Sequence, residues 1–354
     1  MTSHVRGFWG QTAGPVVALS PMDGLTDAAA RCIALRHGKP DFTVTEFVAV
    51  EGLTHGGIAL LDDFLHEASD RPVVAQLYGI EPAAFREAAA IATALGFDGV
   101  DINMGCPAAT VARRGAGAAL IRTPDLAKEI VRATRAGIDD WANGGSLDRL
   151  VSHNRIRRMV RARCEPYLES SRRRIPVSVK TRIGFDNICV EQWASHLSEA
   201  EPIAITFHGR TLKQLYGGSA RWDAIGRAAD TLRGSGILVL GNGDIEDRNH
   251  ALSLITEYGL DGAMIGRATV GNPWVLRSET VSTALRLRTA MEHAELFEHI
   301  FPNRPYMAVR KHLHGYCRGF DGASNLRKEL MLSPSAAHSR RMIERILEPI
   351  AAQV

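Results

Sequence analysis

Cys106 stands in Asp101-Ile-Asn-Met-Gly-Cys-Pro107, just past a short apolar run. A thiol so placed can serve as nucleophile, metal ligand or acid. No residues near it have metal-ligand spacing. Nucleophilic work would need a lowered pKa or a paired base. An ordinary thiol, with a pKa of about 8.5, is mostly protonated at neutral pH and can donate a proton as a general acid. The other four cysteines, Cys32, Cys164, Cys189 and Cys317, read as small buried hydrophobes.

Two glycine turns form a second group. They are Gly241-Asn-Gly-Asp-Ile245 and Ile265-Gly-Arg-Ala268. Glycines let backbone N–H groups approach an anion, and a helix N-terminus adds positive potential. Alone, these turns imply a phosphorylated ligand. Adding Lys180 and His208 implies a ligand with a phosphate and a polar ring, which FMN satisfies. Lys180 can stabilise negative charge on such a ring when it is reduced, and His208 can hydrogen-bond it.

Eight short apolar or β-branched runs must position these groups. They are Pro15–Ser20, Phe42–Glu46, Pro72–Tyr78, Gly99–Asn103, Val177–Arg182, Ala204–Gly209, Leu238–Gly241 and Gly262–Ile265. Most are followed by a helical pattern at the spacing of one strand plus one helix. Eight such units predict an α/β TIM (β/α)8 barrel, in which the strand ends share one mouth. The residues at those ends are Pro21-Met22, Glu46, Gln76, Asn103, Lys180 to Arg182, His208 to Arg210, Asn242 and Gly266-Arg267. An open doubly wound sheet would carry a glycine-rich turn after its first strand, and Ser20-Pro-Met-Asp-Gly24 is not one. Pro82 and Gly96 predict the ends of a helix over Ala83 to Leu95, and Thr123 is expected to cap the next one. From about Ser278 the pattern is helical, which predicts a barrel domain over 1–276 and an all-helical domain over 277–354.

The 354 residues are 45% hydrophobic and 23% charged, ordinary for a globular protein. No apolar run is long enough to cross a membrane, and Met1 to Gly14 lacks the apolar stretch of a secretory signal. Five cysteines without a CxxC pair argue for a reducing cytosol and against a zinc finger. The net charge of +3 is uneven. Residues 132–174 carry 11 Lys/Arg against 5 Asp/Glu, and residues 277–354 carry 12 against 8. Positive segments on an acidic body suit a polyanion such as nucleic acid. The densest run, Arg155-Ile-Arg-Arg-Met-Val-Arg-Ala-Arg163, lies in an insertion over about 137–174. Gly115-Ala-Gly-Ala-Ala-Leu120 only approximates a dinucleotide fingerprint, since Arg113-Arg114 rather than a strand precedes it. His312, His314 and Cys317 do not share a helix face, so no metal is expected there.

Taken in order, these motifs resemble the tRNA-dihydrouridine synthases, flavin enzymes that reduce uridine in tRNA. The matching stretches run from Pro21-Met-Asp-Gly-Leu-Thr-Asp27 through Gln76-Leu-Tyr-Gly79, the Cys106 motif and Gly115 to Leu120. They continue through Val179-Lys-Thr-Arg-Ile-Gly184, His208-Gly-Arg-Thr211, Asn242-Gly-Asp-Ile245 and Ile265-Gly-Arg267. Ala308-Val-Arg-Lys-His312 through Arg327 is similar to the family's helical tRNA-binding domain. Thr45-Glu-Phe-Val48 and Pro176-Val-Ser-Val-Lys180 are similar to the bacterial C-type enzymes, whose target is uridine 16 of the D-loop. Two departures stand out: Ser20 replaces the family's usual alanine, and the basic insertion is longer than its usual connection.

The resemblance implies that Pro21, Met22, Gln76, Lys180, His208, Asn242, Gly243, Asp244, Gly266 and Arg267 hold FMN. It implies that Cys106 is the proton donor and that Asn103 and Arg182 lie near the uracil. NADPH would reduce FMN, hydride would pass to C6 of a flipped uridine, and Cys106 would protonate C5. The basic insertion and tail would bind tRNA phosphates. A cytoplasmic monomer without a metal is expected. The alternatives are another FMN barrel reductase with a small substrate, which would need neither basic segment, and a non-catalytic RNA-binding protein, which would need neither Cys106 nor Lys180.

Overall fold

The computed structural model describes residues 7–10, 14–67 and 70–351. Met1–Arg6, where the leader question falls, therefore lies outside the described residues, as do 11–13. Eight parallel strands close into a barrel in chain order. They are β1 Val16–Leu19, β2 Thr43–Ala49, β3 Val73–Tyr78, β4 Gly99–Met104, β5 Val177–Arg182, β6 Ala204–His208, β7 Leu238–Asn242 and β8 Gly262–Ile265. Closure is made by β1 against β8, with Val16 opposite Gly262 and Leu19 opposite Ile265. The strands are buried on both faces, which is why they read as apolar runs rather than alternating ones.

The boundaries match the sequence expectation closely, except at β2. Register slips there between Val44 and Phe47, so Thr45 and Glu46 form an irregularity rather than a strand end. Thr45 Oγ1 donates to Glu46 O at 2.8 Å and accepts from Gln76 N at 3.0 Å. A charged residue that looked like a terminus is thus inside the strand. Helix Pro82–Ala94 begins on its proline, and Gly96 beyond it takes φ +86°, as a glycine stop allows. Thr123 does precede helix Pro124–Ala142, but its side chain makes no capping hydrogen bond, so that expectation is corrected.

The basic segment lies at the surface, but much of its charge is paired. Its first residues complete helix Pro124–Ala142, and short helices Leu147–Leu150 and Asn154–Cys164 follow. Its arginines are largely engaged. Arg161 pairs with Asp148 at 2.9 Å, Arg163 with Asp62 at 2.9 Å, Arg173 with Asp98 at 2.8 Å and Arg174 with Asp139 at 2.7 Å. Arg172 lies over the Trp141 ring and donates to the carbonyls of Trp141 and Gly145. Arg149, Arg155 and Arg158 keep no side-chain partner among the described residues. Asp98 immediately precedes β4 and the segment re-enters the barrel at Val177, the first residue of β5. In a parallel barrel, strand starts lie opposite the mouth, so this part of the segment braces the far face.

The C-terminal helices are Thr283–Ile300, Arg310–Tyr316, Ala323–Leu330 and Ala336–Ala351. Their apolar side chains form one cluster that also takes in Ala28, Ala29 and Trp274 from the barrel side.

Helices Pro82–Ala94 and Pro124–Ala142 meet through Gly137, where a Cβ would fall 1.9 Å from Arg86 O. On an exposed helix, Gly→Ala stabilises by about 1 kcal/mol. Here overpacking of about 1–3 kcal/mol outweighs that. Gly137→Ala is therefore expected to lower the urea midpoint, and a raised midpoint would show that the helices do not touch there.

Candidate active site

The strand register brings the polar residues of the mouth together. Asn103 lies opposite Lys180, Arg182 opposite His208, and His208 opposite Asn242. Lys180 Nζ donates to Asn242 Oδ1 at 3.0 Å, and Asn242 Nδ2 donates to Met264 O at 2.8 Å. Arg182 Nε donates to Gly105 O at 2.8 Å, beside Cys106. Cys106, Lys180 and His208 therefore share one rim.

Cys106 is half-buried. Its N–H donates to Asn103 Oδ1 at 2.8 Å, and its carbonyl accepts from Ala118 N at 3.2 Å. Behind it stands Gly117, where a Cβ would meet Cys106 O at 2.8 Å and Cys106 Cβ at 3.1 Å. The glycines that imitate a dinucleotide fingerprint thus serve as a backrest for the thiol loop. Burial raises the Cys106 pKa; the Ala108 backbone hydrogen bond and the Arg182 charge oppose it, and Asp23 reinforces it. The thiol is held protonated, which suits an acid and not an activated nucleophile.

At the other side of the rim, Gly243, Asp244, Gly266 and Arg267 keep their backbone N–H groups without a protein acceptor among the described residues. A Cβ on Gly243 would stand 2.8 Å from Ala220 Cβ and 2.9 Å from His208 Cδ2, and its φ is +122°. Only glycine suits that close approach. Gly266 lies against Met22, its Cβ position 3.4 Å from the sulfur. Pro21 and Met22 belong to the turn after β1, held by Met22 N donating to Thr26 Oγ1 at 2.9 Å. Four N–H donors around small residues, with Arg267 exposed beside them, fit a phosphate.

The Asp244 side chain is committed to protein partners. Its carboxylate accepts from Arg210 Nη2 at 2.6 Å, Ala220 N at 2.8 Å and Arg267 Nη2 at 2.8 Å. A ligand can meet its backbone N–H, while its side chain steers two arginines. Burial would raise its pKa, but the Arg210 and Ala220 hydrogen bonds outweigh that and hold it below the usual carboxylate range. Arg182 is likewise built in. Its Nη1 donates to Thr211 O at 2.9 Å and Leu215 O at 3.1 Å, while Nη2 makes no protein hydrogen bond among the described residues.

Burial, then the Arg182 charge, pushes Lys180 down to about 8. It remains a cation at neutral pH. Burial and the four cations Lys180, Arg182, Arg210 and Arg267 push His208 down to about 2. The imidazole is neutral. Arg210 Nη1 lies 3.4 Å from His208 Nε2 and can only donate, so Nε2 accepts and the hydrogen sits on Nδ1.

Three contributors escaped the sequence reading. Asp101 accepts from Gln76 Nε2 at 2.7 Å and from Ser178 Oγ at 2.6 Å. Arg210, noted only as a strand-end residue, organises Asp244. Tyr216, 62% exposed in the loop after β6, has the Arg267 guanidinium 5.7 Å from its ring centroid. An aromatic beside a Gly-Gly turn after a strand end was the available signal for Tyr216.

The model of the family described as Dihydrouridine synthase (Dus) matches residues 18–140 and 156–351. The chain belongs to the dihydrouridine synthase family. It is an enzyme of a flavin-dependent oxidoreductase family. A probable tRNA-dihydrouridine synthase of Staphylococcus aureus (strain COL) is 32% identical over 349 residues, covering 96% of this chain and 95% of that protein. Probable tRNA-dihydrouridine synthase 2 of Bacillus subtilis (strain 168) is 30% identical, covering 96% of each. Among solved structures, DHODH from Eimeria tenella in complex with ferulenol aligns over 80% of this chain and 81% of its own, with a TM-score of 0.48 and 12% identity. The family match is interrupted over 141–155, a shorter stretch than the 137–174 insertion expected from sequence.

If the Cys106 thiol is held protonated by burial, its alkylation by iodoacetamide should still be rising above about pH 8.5, the ordinary thiol value. A plateau below about pH 8, measured on the Cys106 peptide by mass spectrometry, would show an activated thiolate instead.

Proposed function

We propose that this chain reduces a uridine of tRNA to 5,6-dihydrouridine, with FMN as cofactor, NADPH as its reductant and uridine 16 of the D-loop as target. The observation that carries the reading is the shared rim. In a chain of this family, a protonated, half-buried thiol stands at the same barrel end as the free N–H groups of Gly243, Asp244, Gly266 and Arg267.

The N–H groups of that corner, with the Arg267 side chain, hold the phosphate. Pro21 and Met22 would line the same ligand, and Gln76, Lys180, His208 and Asn242 would hold its ring. Such a group, when bound and reduced by NADPH, would supply the hydride for C6 of the uracil. Lys180, cationic at neutral pH, stabilises negative charge on the ring. Neutral His208 offers its Nδ1–H. Cys106 Sγ gives the proton to C5. Asn103, through its uncommitted amide N–H, and Arg182, through Nη2, face the uracil oxygens. The base must leave its stack to reach these groups, and Tyr216 offers it or a neighbour an aromatic face.

The polyanion argument moves from where the sequence suggested it. Paired arginines of the basic segment add little attraction, and part of that segment lies opposite the mouth. Arg113 and Arg114 after β4 and Lys213 after β6 are exposed on mouth loops. Lys311 of the helical tail reaches to 2.9 Å of the Cβ position of Gly24 in the β1 loop. These cations and the helical region over 277–354 are the tRNA surface in this reading, and the enzyme is a cytoplasmic monomer.

Cys106→Ala is expected to slow single-turnover reduction of tRNA uridine about 10²–10⁴-fold, the usual contribution of a general acid, with flavin absorbance retained. Wild-type turnover would remove the acid role. In cells lacking the gene, dihydrouridine should disappear from position 16 of tRNA; its persistence there would refute the assigned target.

A further inference from the structure

The amides at the rim have directions, and one buried carboxylate decides them. Asp101 sits in the middle of β4, 1% exposed, with Gln76 opposite it on β3 and Ser178 opposite it on β5. Both carboxylate oxygens are engaged, Oδ2 by Gln76 Nε2 at 2.7 Å and Oδ1 by Ser178 Oγ at 2.6 Å. An ionised carboxylate can only accept. The nitrogen of the Gln76 amide must therefore face Asp101, which turns Gln76 Oε1 toward Asn103. Asn103 Nδ2 then donates to Gln76 Oε1 at 3.0 Å. That leaves Asn103 Oδ1 to accept from Gly105 N at 3.0 Å and Cys106 N at 2.8 Å.

We propose that Asp101 is a positioning residue for the proton donor: its carboxylate sets the direction of the Gln76–Asn103 amide chain, and that chain pins the Gly105-Cys106 turn. The inference rests on the proposed acid role of Cys106. The same direction leaves Asn103 one uncommitted N–H, so a ligand at the rim meets a donor rather than an acceptor from it. Burial raises the Asp101 pKa to about 6, against the Ser178 and Gln76 hydrogen bonds and the Lys180 charge. It is ionised at neutral pH and able to hold the direction.

Geometry separates this role from simple packing. Asp101 makes no hydrogen bond to Cys106 or to the loop after β4; it acts through two amides. An apolar residue there would leave Gln76 free to turn over. The substitution Asp101→Asn keeps nearly the same volume but adds a donor, so it no longer dictates which end of the Gln76 amide faces it.

The test compares Asp101→Leu and Asp101→Asn in the flavin-loaded enzyme, with urea midpoints recorded beside the kinetics. Asp101→Leu is expected to lower kcat for tRNA reduction at least tenfold with KM for tRNA unchanged. Iodoacetamide alkylation of the Cys106 peptide, read by mass spectrometry, should rise at least fivefold as the turn loosens. Asp101→Asn, which can donate as well as accept, should shift both readings in the same direction as Asp101→Leu. Wild-type kcat and alkylation in a folded Asp101→Leu protein would overturn the proposal. So would an Asp101→Asn variant indistinguishable from wild type in both readings, because an acceptor-only group at 101 would then not be what sets the amide direction. Should Asp101→Leu not fold, Gln76→Leu breaks the same chain one link closer to the thiol. Faster Cys106 alkylation in that variant without flavin supports the proposal, and an unchanged rate overturns it. Failure of the uridine reading looks different: wild-type protein would itself fail to reduce tRNA, while the alkylation comparison would keep its meaning.

Discussion

Barrel closure is the constraint on which the site depends. The ring forms only if β1 meets β8 in parallel, and then every strand ends on the same rim. Residues two apart on a strand face the same way, so Asp101 and Asn103 share a side of β4, as Ser178 and Lys180 share a side of β5. Closure also removes water from around the strands. Each buried polar group must then find a partner in the ring, because leaving one unpaired costs about 1–3 kcal/mol. The chain from Ser178 through Asp101 and Gln76 to Asn103, and the pair of Lys180 with Asn242, satisfy that demand. The hydrogen bonds that let the interior exclude water are the same ones that orient the mouth.

Charge at the rim follows from this crowding. Lys180, Arg182, Arg210 and Arg267 gather around His208, with Asp101 beneath and Asp244 at the edge. Such an excess of cations would ordinarily favour a thiolate. At Cys106 burial wins over the Arg182 charge, and the proton stays. At His208 burial and the cations act in the same direction, and the ring is neutral. Two groups on one rim thus respond to similar neighbours in opposite catalytic senses. The difference is that desolvation penalises the thiolate and the imidazolium alike, while nearby cations penalise only the latter.

The strands were legible because fully buried strands are written as unbroken apolar runs, and because glycine and proline mark the ends of helix Pro82–Ala94. Cys106, Lys180 and His208 were legible as polar groups at the ends of such runs. Asp101 was not, although it lies in the Cys106 motif. Nothing in one sequence says that a carboxylate inside a strand faces Gln76 and Ser178 on neighbouring strands. Glu46 misled in the opposite way, since a register slip in β2 keeps a charged residue inside a strand. The pairing within the basic segment was not legible. Counting arginines shows a positive charge, but the acids that neutralise Arg163 and Arg173 are Asp62 and Asp98, far away in the chain.

The helical tail bears on the rim through packing as well as charge. Its apolar cluster takes Ala28 and Ala29 from the first helix after β1, and Trp274 from the turn after β8. Those elements follow the two loops that carry Pro21-Met22 and Gly266-Arg267. Ser20 N also donates to Ile265 O at 2.9 Å, tying one loop to the other at its root. The corner formed by these two loops is therefore held from below by the barrel and from outside by the tail. Loosening the tail's core would free the chain on the far side of both loops, so the tail shapes the corner even where it touches no ligand. A basic helical appendage could bind a polyanion from a flexible tether. A cluster that borrows barrel residues instead fixes the distance between the cations of the tail, such as Lys311, and the thiol at the rim.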